Sequence, residues 1–547
     1  MGWPGRRTGK LADRRGVPMP PEPMPPESPR SQSPRSDGAN RVAAAPGSQP
    51  GLGGGLLPAT ERLLLQRVAV EQAGGRAPSL VAAVARDGRP VWTAGRGRAV
   101  GPDQADGDGD GGGDGGGGGG GDRGGGGEGR GVRRPDADTQ YRIGSITKTF
   151  TAVLVMRLRD EGRLALGDPL DRHLPGTAVG DRTVAQLLSH LGGIAAETPP
   201  PWWERVAGQA HPTLADALGP DPDRFRPGRR HHYSNVGFAV LGELVARLRG
   251  MSWAQALHRE LLAPLGMSRT TALPAAPHAH GYAVHPHADV LLPEPAHDAG
   301  VLAPAGQLWS TTADLVRWSA VLAGHTDVVL SADTLAEMRE PAAVEGDSGE
   351  WRLGAGLGVQ LLREPGGVLV GHGGSMPGFV AALWTRPGGT AAIAMANATS
   401  GVAVVDLAVG LIDAVDTAEP PLPAEWVPAS VAGREPLDVT GVWYWGPAPY
   451  ALSLRPDGGL LLAPLGRSGR RSRFRPGPAG HGTFLGVDGY FAGETLIPRR
   501  QSDGELSHLE LASFVFTRSP YAPAGPVPGG VDAGGWRPSP VSGGRQG

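Results

Sequence analysis

The sequence predicts an α/β protein of the α+β type: an antiparallel sheet built from both ends of one large domain and packed by helices, then a small β-barrel-like or sandwich-like domain. Three observations predict it. Strand-like segments stand at both ends of residues 58–425, with helical periodicities between them, and ends that pair across a helical middle make an antiparallel sheet covered by helices. Past Gly356 the apolar period changes from that of helices to that of strands. A Pro-rich joint, "AEPPLPAEWVPASVAGREP", then precedes residues 437–520, where short aromatic strands alternate with turns such as Asp457-Gly458-Gly459.

Not all of the 547 residues are expected to fold. Residues 1–57 are rich in Pro, Gly, Ser and Arg without apolar periodicity, so they bury too little surface to offset ordering entropy and read as a disordered leader. The same holds for the Pro/Gly tail 521–547 and for the insertion 102–135, whose core is "DGDGDGGGDGGGGGGGDRGGGGEGRG". Asp106, Asp108, Asp110 and Gly111 imitate the start of a calcium loop, but position twelve is Gly117 where a bidentate Glu is required, so a flexible insertion is the reading adopted.

The elements follow in order. "TERLLLQRVAVEQAGG" predicts a helix capped by Thr60, and "SLVAAVARDGRPVWTAG" a hairpin turning at Asp87-Gly88. Residues 145–159 predict an amphipathic helix with Ile146, Phe150, Val153, Leu154 and Leu158 on one side. Further helices are predicted at 183–190, 235–249, 252–263 and 312–323, the last with Thr311 and Asp314 at capping-box spacing. Strands are predicted at Leu357–Leu362, Val368–His372, Phe379–Trp384 and Ala391–Ala396. No internal repeat is visible.

Composition narrows the function classes. Cysteine is absent, which excludes disulfides, thiolate metal sites and cysteine nucleophiles. Net charge is −2 and the basic excess is confined to the leader, so nucleic acid is not an expected partner. Arg6-Arg7 and Arg14-Arg15 precede no apolar stretch, and no segment approaches a membrane span; a cytoplasmic protein is the expectation.

The chemistry starts at "YRIGSITKTFTA", residues 141–152. The chain has 52 Lys and Arg residues, of which only Lys10 and Lys148 are lysines. Residues i and i+3 on a helix share a face, so the Ser145 hydroxyl and the Lys148 amine can meet. A desolvated lysine can accept the serine proton, whereas a guanidinium stays protonated. Lysine here is therefore read as a proton acceptor. Two further segments accompany it: "FRPGRRHHYSNVGFAVLGELV" sets Tyr233 and Asn235, one of three asparagines, before a helix, and "VGHGGSMPGF" sets His372-Gly373-Gly374 at the end of a predicted strand.

These elements in this order resemble the penicillin-recognising serine hydrolases, the β-lactamases, D-Ala-D-Ala peptidases, D-aminopeptidases and related esterases, in the branch with Tyr-x-Asn as second motif. "LLSHLGGI" (187–194), "LLAPLGMSRT" (261–270) and "PAGQLWSTTADLVRW" (304–318) agree, and the resemblance covers residues 58–415. It implies a β-lactamase/transpeptidase-like fold with an inserted helical subdomain. It also implies Ser145 as acyl-accepting nucleophile, Lys148 as its proton partner, Tyr233 as proton shuttle, Asn235 as holder of Lys148 and substrate, and His372 as a group tuning charge near Tyr233. The oxyanion hole would be the backbone N–H groups of Ser145 and Ser375, and Gly373 and Gly374 would border the substrate. In the β-lactamases and carboxypeptidases the middle position of the third motif usually bears a hydroxyl that binds substrate carboxylate; here it is Gly373.

The expected function is therefore a serine hydrolase acting through an acyl-enzyme on small esters or amides, esterase or D-aminopeptidase-like, with no cofactor and no metal. The alternatives are a D-Ala-D-Ala carboxypeptidase or weak β-lactamase, and a non-catalytic sensor on the same fold. Three other features take bland readings. His190 is read as capping a turn, and Trp202-Trp203 as core or cleft wall. His278, His280, His285, His287 and His297 are read as lying in a solvated loop, not as a zinc site.

Overall fold

Pairing between chain segments more than 300 positions apart defines the large domain, and Ser79 N–H donates to Asn397 Oδ1 across 318 positions. The computed structural model describes residues 55–99, 134–200, 212–345, 351–423, 425–426, 435–456, 458–466, 469–477 and 482–522. Nearly all of the expected leader, insertion and tail, together with Trp202-Trp203 and Asp457, lie outside the described residues. The chain divides into two units after Glu419.

The first unit holds an eight-stranded antiparallel sheet. Its strands are β1 (Ser79–Arg86), β2 (Arg89–Gly97), β3 (Ala343–Val344), β4 (Leu353–Ala355), β5 (Gln360–Glu364), β6 (Gly367–Met376), β7 (Phe379–Thr385) and β8 (Thr390–Ala396). The spatial order is β2-β1-β8-β7-β6-β5-β4-β3, so the hairpin from the chain start docks on the last strand, with Leu80 opposite Ala396 and Val84 opposite Ala392. Alternation along the strands feeds two cores. Val81, Ala83, Leu383 and Ile393 face a helical layer, while Leu80, Ala82, Val84, Trp384 and Ala394 face the other side. That other side is covered by helices α1 (Pro58–Gly74) and α5 (Val404–Ala418), which supply Leu64, Val68, Leu411 and Ile412.

The helical layer is built on α2 (Thr147–Asp160), α3 (Asn235–Arg249) and α4 (Thr312–Ala323). The expected amphipathic pattern of α2 is not what forms: every residue from Thr147 to Met156 is buried. The polar ones are satisfied internally. Thr149 Oγ1 accepts from Trp318 Nε1 at 2.7 Å, Thr151 Oγ1 donates to Pro304 O at 2.8 Å, and Thr147 Oγ1 accepts from Leu308 N–H at 3.2 Å. A helix buried on all sides needs such partners for each hydroxyl. Phe150 stacks on Trp318 with ring centroids 3.8 Å apart.

Helices α3 and α4 have the expected bounds, but other details differ. Thr60 is no cap: α1 starts at Pro58, whose missing N–H suits a first helical position. Residues 252–263 form a short α-helix, Trp253–Leu257, continued by one π-helical turn, His258–Leu262. Only half of the Thr311–Asp314 box forms, because the Asp314 carboxylate is taken by Arg269 N–H and Thr270 Oγ1. The strand expected at Leu357–Leu362 begins at Gln360, since Gly358 has φ +77°. The strand expected to stop at His372 runs through Gly373 and Gly374 to Met376, paired with β7 throughout. Residues Tyr282–Val284 and Leu291–Pro293 form a small hairpin where a loop was expected, and His297 is buried with Nδ1 3.4 Å from Arg142.

The second unit is an up-and-down barrel of eight strands, from Gly441–Trp445 to Phe514–Phe516, each paired with the next. It is nearly closed on itself, since Tyr444 and Thr517 exchange backbone hydrogen bonds of 2.7 and 2.9 Å between its first and last strands. Trp443, Phe474, Leu496 and Phe516 fill its interior.

Phe150 tests the all-round burial of α2. Phe150→Ala should cost about 3–5 kcal/mol of stability by removing a fully buried ring, read as a lowered midpoint in chemical denaturation.

Candidate active site

The site begins at the entry to α2. Residues Gly144–Ile146 make one 3₁₀ turn before the α-helix, with Gly144 at φ +51°, a left-handed conformation that a side chain rarely adopts. A Cβ there would also come 2.6 Å from Ser375 N. From the facing strand β6, a Cβ on Gly374 would come 2.0 Å from Ile143 O and 3.2 Å from Ser145 N. Two glycines thus let the turn and the strand touch backbone to backbone, which brings Ser145 and Ser375 together at the edge of the cleft. Gly373 is different, since its Cβ would make ordinary contacts with Val405 at 3.4 Å and Gln360 at 4.0 Å.

One turn along α2, Lys148 is fully buried. Its Nζ lies 3.0 Å from Ser145 Oγ, 2.6 Å from Asn235 Oδ1 and 2.7 Å from Ala305 O. Burial lowers its pKa from 10.5 to about 7, and the negative charge of Glu197 resists that shift. An ammonium can donate to all three oxygens. A neutral amine has two N–H bonds and one lone pair; two of the oxygens are carbonyls that can only accept, so the lone pair falls to the Ser145 hydroxyl.

Tyr233 and Asn235 reach this amine from the start of α3. Ser234 caps that helix, its Oγ accepting from Gly237 N–H at 2.9 Å, which leaves the Asn235 amide for Lys148. Tyr233 lies beside Lys148, whose Nζ is 4.8 Å from the ring centroid. The Tyr233 hydroxyl is shielded from solvent and makes no hydrogen bond of standard geometry. Burial pushes its pKa up, and the neighbouring Ser145 hydroxyl offsets part of that.

Two histidine rings flank Tyr233. His372 is 6.0 Å away, centroid to centroid, and its Nδ1–H donates to Gly373 O. Burial lowers its pKa to about 3, with the Lys148 charge a second cause, so the ring is neutral at working pH. His190 lies tilted against Tyr233 with ring centroids 4.3 Å apart, accepts from Ser234 N–H at 3.1 Å through Nδ1, and is also held neutral by burial. Sequence reasoning gave His190 a turn-capping role; it does sit at φ +56°, but its ring is part of the wall behind Tyr233.

Two residues that the sequence reading did not single out complete the surroundings. Glu197, exposed in the loop after "LLSHLGGI", accepts from Asn235 Nδ2. Gln360 Oε1 accepts from Gly373 N–H at 3.1 Å. Neither belongs to a motif, and only the fold brings them to the cleft. The histidines at 278–297 stand apart from this constellation, and among the described residues no three His, Cys, Asp or Glu side chains are grouped to hold a metal.

An antiparallel sheet closed by both ends of the domain, with Ser-x-x-Lys facing Tyr-x-Asn across a His-Gly-Gly strand, defines the penicillin-recognising class of serine hydrolases. The chain belongs to the β-lactamase family, whose sequence profile matches residues 64–414, and it is a serine hydrolase. Penicillin-binding protein 4 of Amycolatopsis lactamdurans is 32% identical over 273 residues, 46% of this chain and 70% of that protein. The D-alanyl-D-alanine-carboxypeptidase/endopeptidase AmpH of Escherichia coli is 27% identical over 203 residues, 34% of this chain and 49% of its own length. The octameric penicillin-binding protein homologue from Pyrococcus abyssi superposes with a TM-score of 0.52 at 20% identity, covering 84% of this chain and 99% of that one, a likeness of fold. A D-amino acid amidase from Ochrobactrum anthropi superposes with a TM-score of 0.51 at 20% identity over 65% of this chain and 99% of its own. Residues 432–518 match a domain of unknown function (DUF7586). Among the described residues no helix is long and apolar enough to cross a membrane.

The two glycines of the third motif should respond differently to one methyl group. Gly374→Ala must push β6 from the Ser145 turn, an overpacking cost of about 1–3 kcal/mol with a matching loss of hydrolysis. Gly373→Ala should leave the melting temperature within about 2 °C of the parent. Thermal melts and initial rates on one chromogenic ester compare them.

Proposed function

We propose that the chain hydrolyses small esters or amides through an acyl-enzyme, in the manner of an esterase or a D-aminopeptidase. The observation that carries this is the placing of Lys148: two carbonyl acceptors take the amine's N–H bonds and Ser145 Oγ stands at 3.0 Å in the remaining direction. In this reading Ser145 Oγ attacks the substrate carbonyl while its proton passes to Lys148. The oxyanion that forms is held by the N–H groups of Ser145 and Ser375. Tyr233, beside both Ser145 and Lys148, carries the proton on to the leaving group, whose bond to the acyl carbon then breaks. Asn235 keeps Lys148 in place and meets the substrate's acyl side. Water then attacks the acyl-enzyme and the same groups return the proton to Ser145. His372 and His190, as neutral rings, confine Tyr233 without adding charge.

The absence of a hydroxyl at Gly373 supports substrates that lack a C-terminal carboxylate, since that donor is missing where a carboxylate would sit. A second reading, a D-Ala-D-Ala carboxypeptidase or weak β-lactamase, is favoured by the names of the relatives of known activity. A panel of p-nitrophenyl esters, D-amino-acid anilides, a chromogenic cephalosporin and a D-Ala-D-Ala peptide separates the two: turnover confined to the last two would reverse the preference.

Ser145→Ala should abolish turnover and fluorophosphonate labelling with the circular dichroism spectrum unchanged. The kcat/KM for an ester should rise as pH climbs through about 7, because Lys148 must lose its proton to act and burial brings its pKa there. Lys148→Arg keeps the charge but cannot accept a proton, so kcat should fall about a hundredfold or more. Retention of a tenth or more of the parent kcat, about what an ordinary cation would allow, would remove the general base from the mechanism.

A further inference from the structure

Glu197 comes from a Pro-rich loop outside every segment that supplies the other side chains of the site, yet its carboxylate accepts from Asn235 Nδ2. A primary amide has a donor end and an acceptor end, so it suits two neighbours in only one orientation. With Nδ2 on Glu197, Oδ1 lies 2.6 Å from Lys148 Nζ. Turned over, the amide would set its NH₂ against the amine and its carbonyl against the carboxylate, losing both contacts. We propose that Glu197 is a positioning residue for acyl transfer: by holding Nδ2 of Asn235 it fixes Oδ1 against Lys148, and thereby the place where Lys148 meets Ser145. The inference rests on the reading of Lys148 as the base.

The carboxylate also acts through space. It raises the pKa of Lys148 against burial, and raises that of Tyr233 as well. Among the described residues, the other titratable groups set against the amine are Tyr233, from the start of α3, and His190 and His372, from the loop before Glu197 and from β6. Both histidines are neutral, their pKa values lowered first by burial. Without this carboxylate, which raises the pKa of Lys148, the amine should lose its proton at lower pH.

Two variants of the full chain, Glu197→Ala and Glu197→Gln, separate the two effects. The readouts are hydrolysis of p-nitrophenyl butyrate and fluorophosphonate labelling of Ser145 across the acid limb of the pH profile. Glu197→Ala should lower kcat about tenfold, a loss expected when a base is held less well, with KM changed by less than about twofold. Glu197→Gln should recover most of that kcat, because its side-chain oxygen still accepts from Asn235. In both variants the acid limb should move to lower pH. Parent rates with an unmoved limb in both variants would overturn the proposal, and so would a rise in KM alone, which would make Glu197 a substrate contact. If Glu197→Ala does not fold, the isosteric Gln variant reads the limb and a shift is still required. Lys148→Arg in the same assay keeps the two readings apart. An active Lys148→Arg removes the base itself, while an inactive one beside unaffected Glu197 variants removes only the role given to Glu197.

Discussion

An amine with no exposure to water is the constraint around which the large domain is arranged. Lys148 lies inside a helix buried on every side, where an isolated ammonium would cost several kcal/mol. The fold answers with three oxygens from three segments: the turn before α2, the start of α3, and Ala305 in the short helical turn Ala303–Gly306. These contacts reward either protonation state, which is how a buried lysine can titrate near neutrality without disrupting its surroundings. Burial and partners are needed together. Burial alone would give an unstable helix, and partners alone, in water, would leave the amine at its ordinary pKa.

The same economy shapes the opposite wall of the cleft. Strand β6 meets the Ser145 turn through glycines on both sides, so the contact is made by main chain and its geometry does not depend on rotamers. Backbone donors held this way would need no reorganisation when charge develops, as the proposed oxyanion hole requires. Two neutral rings lie tilted against Tyr233, and Glu197 extends the polar chain from Lys148 through the Asn235 amide.

Much of this was legible in the sequence, for reasons that differ from element to element. Helices α3 and α4 were bounded by Asn235 and Arg249, and by Thr312 and Ala323, because glycines stop both at the C-terminal end, Gly250 at φ +66° and Gly324 at φ +82°. Helix α2 was placed correctly but misjudged in character: an amphipathic helix was expected, yet its threonines are hydrogen-bonded inside the core, and sequence periodicity cannot tell the two apart. The extension of β6 through Gly373 and Gly374 was hidden because glycine depresses any strand pattern, though here it allows a close approach. Lys148 and Asn235 stood out by scarcity in a chain that otherwise uses arginine. Asn397 is as scarce but was not singled out, since no motif surrounds it; it joins Ser79, Ala99 and His280 across the sheet. Glu197 had no signal at all, being one carboxylate among many until the loop folds back on Asn235.

The junction of Ser79 with Asn397 also sets an order of events during synthesis. The hairpin β1–β2 leaves the ribosome early, but the strand it must join, β8, follows some 300 positions later. Long-range closure of this kind is slow, and an unpaired strand edge invites wrong partners while it waits. The cleft lies on the same timetable, because Ser145 is made long before the strand that carries Gly374 and Ser375. Nascent chains short of β6 hold Ser145, in the turn before α2, and Lys148 with no opposing wall. The wall facing Ser145 is complete only when β6 to β8 arrive and the strands at the two ends of the domain pair.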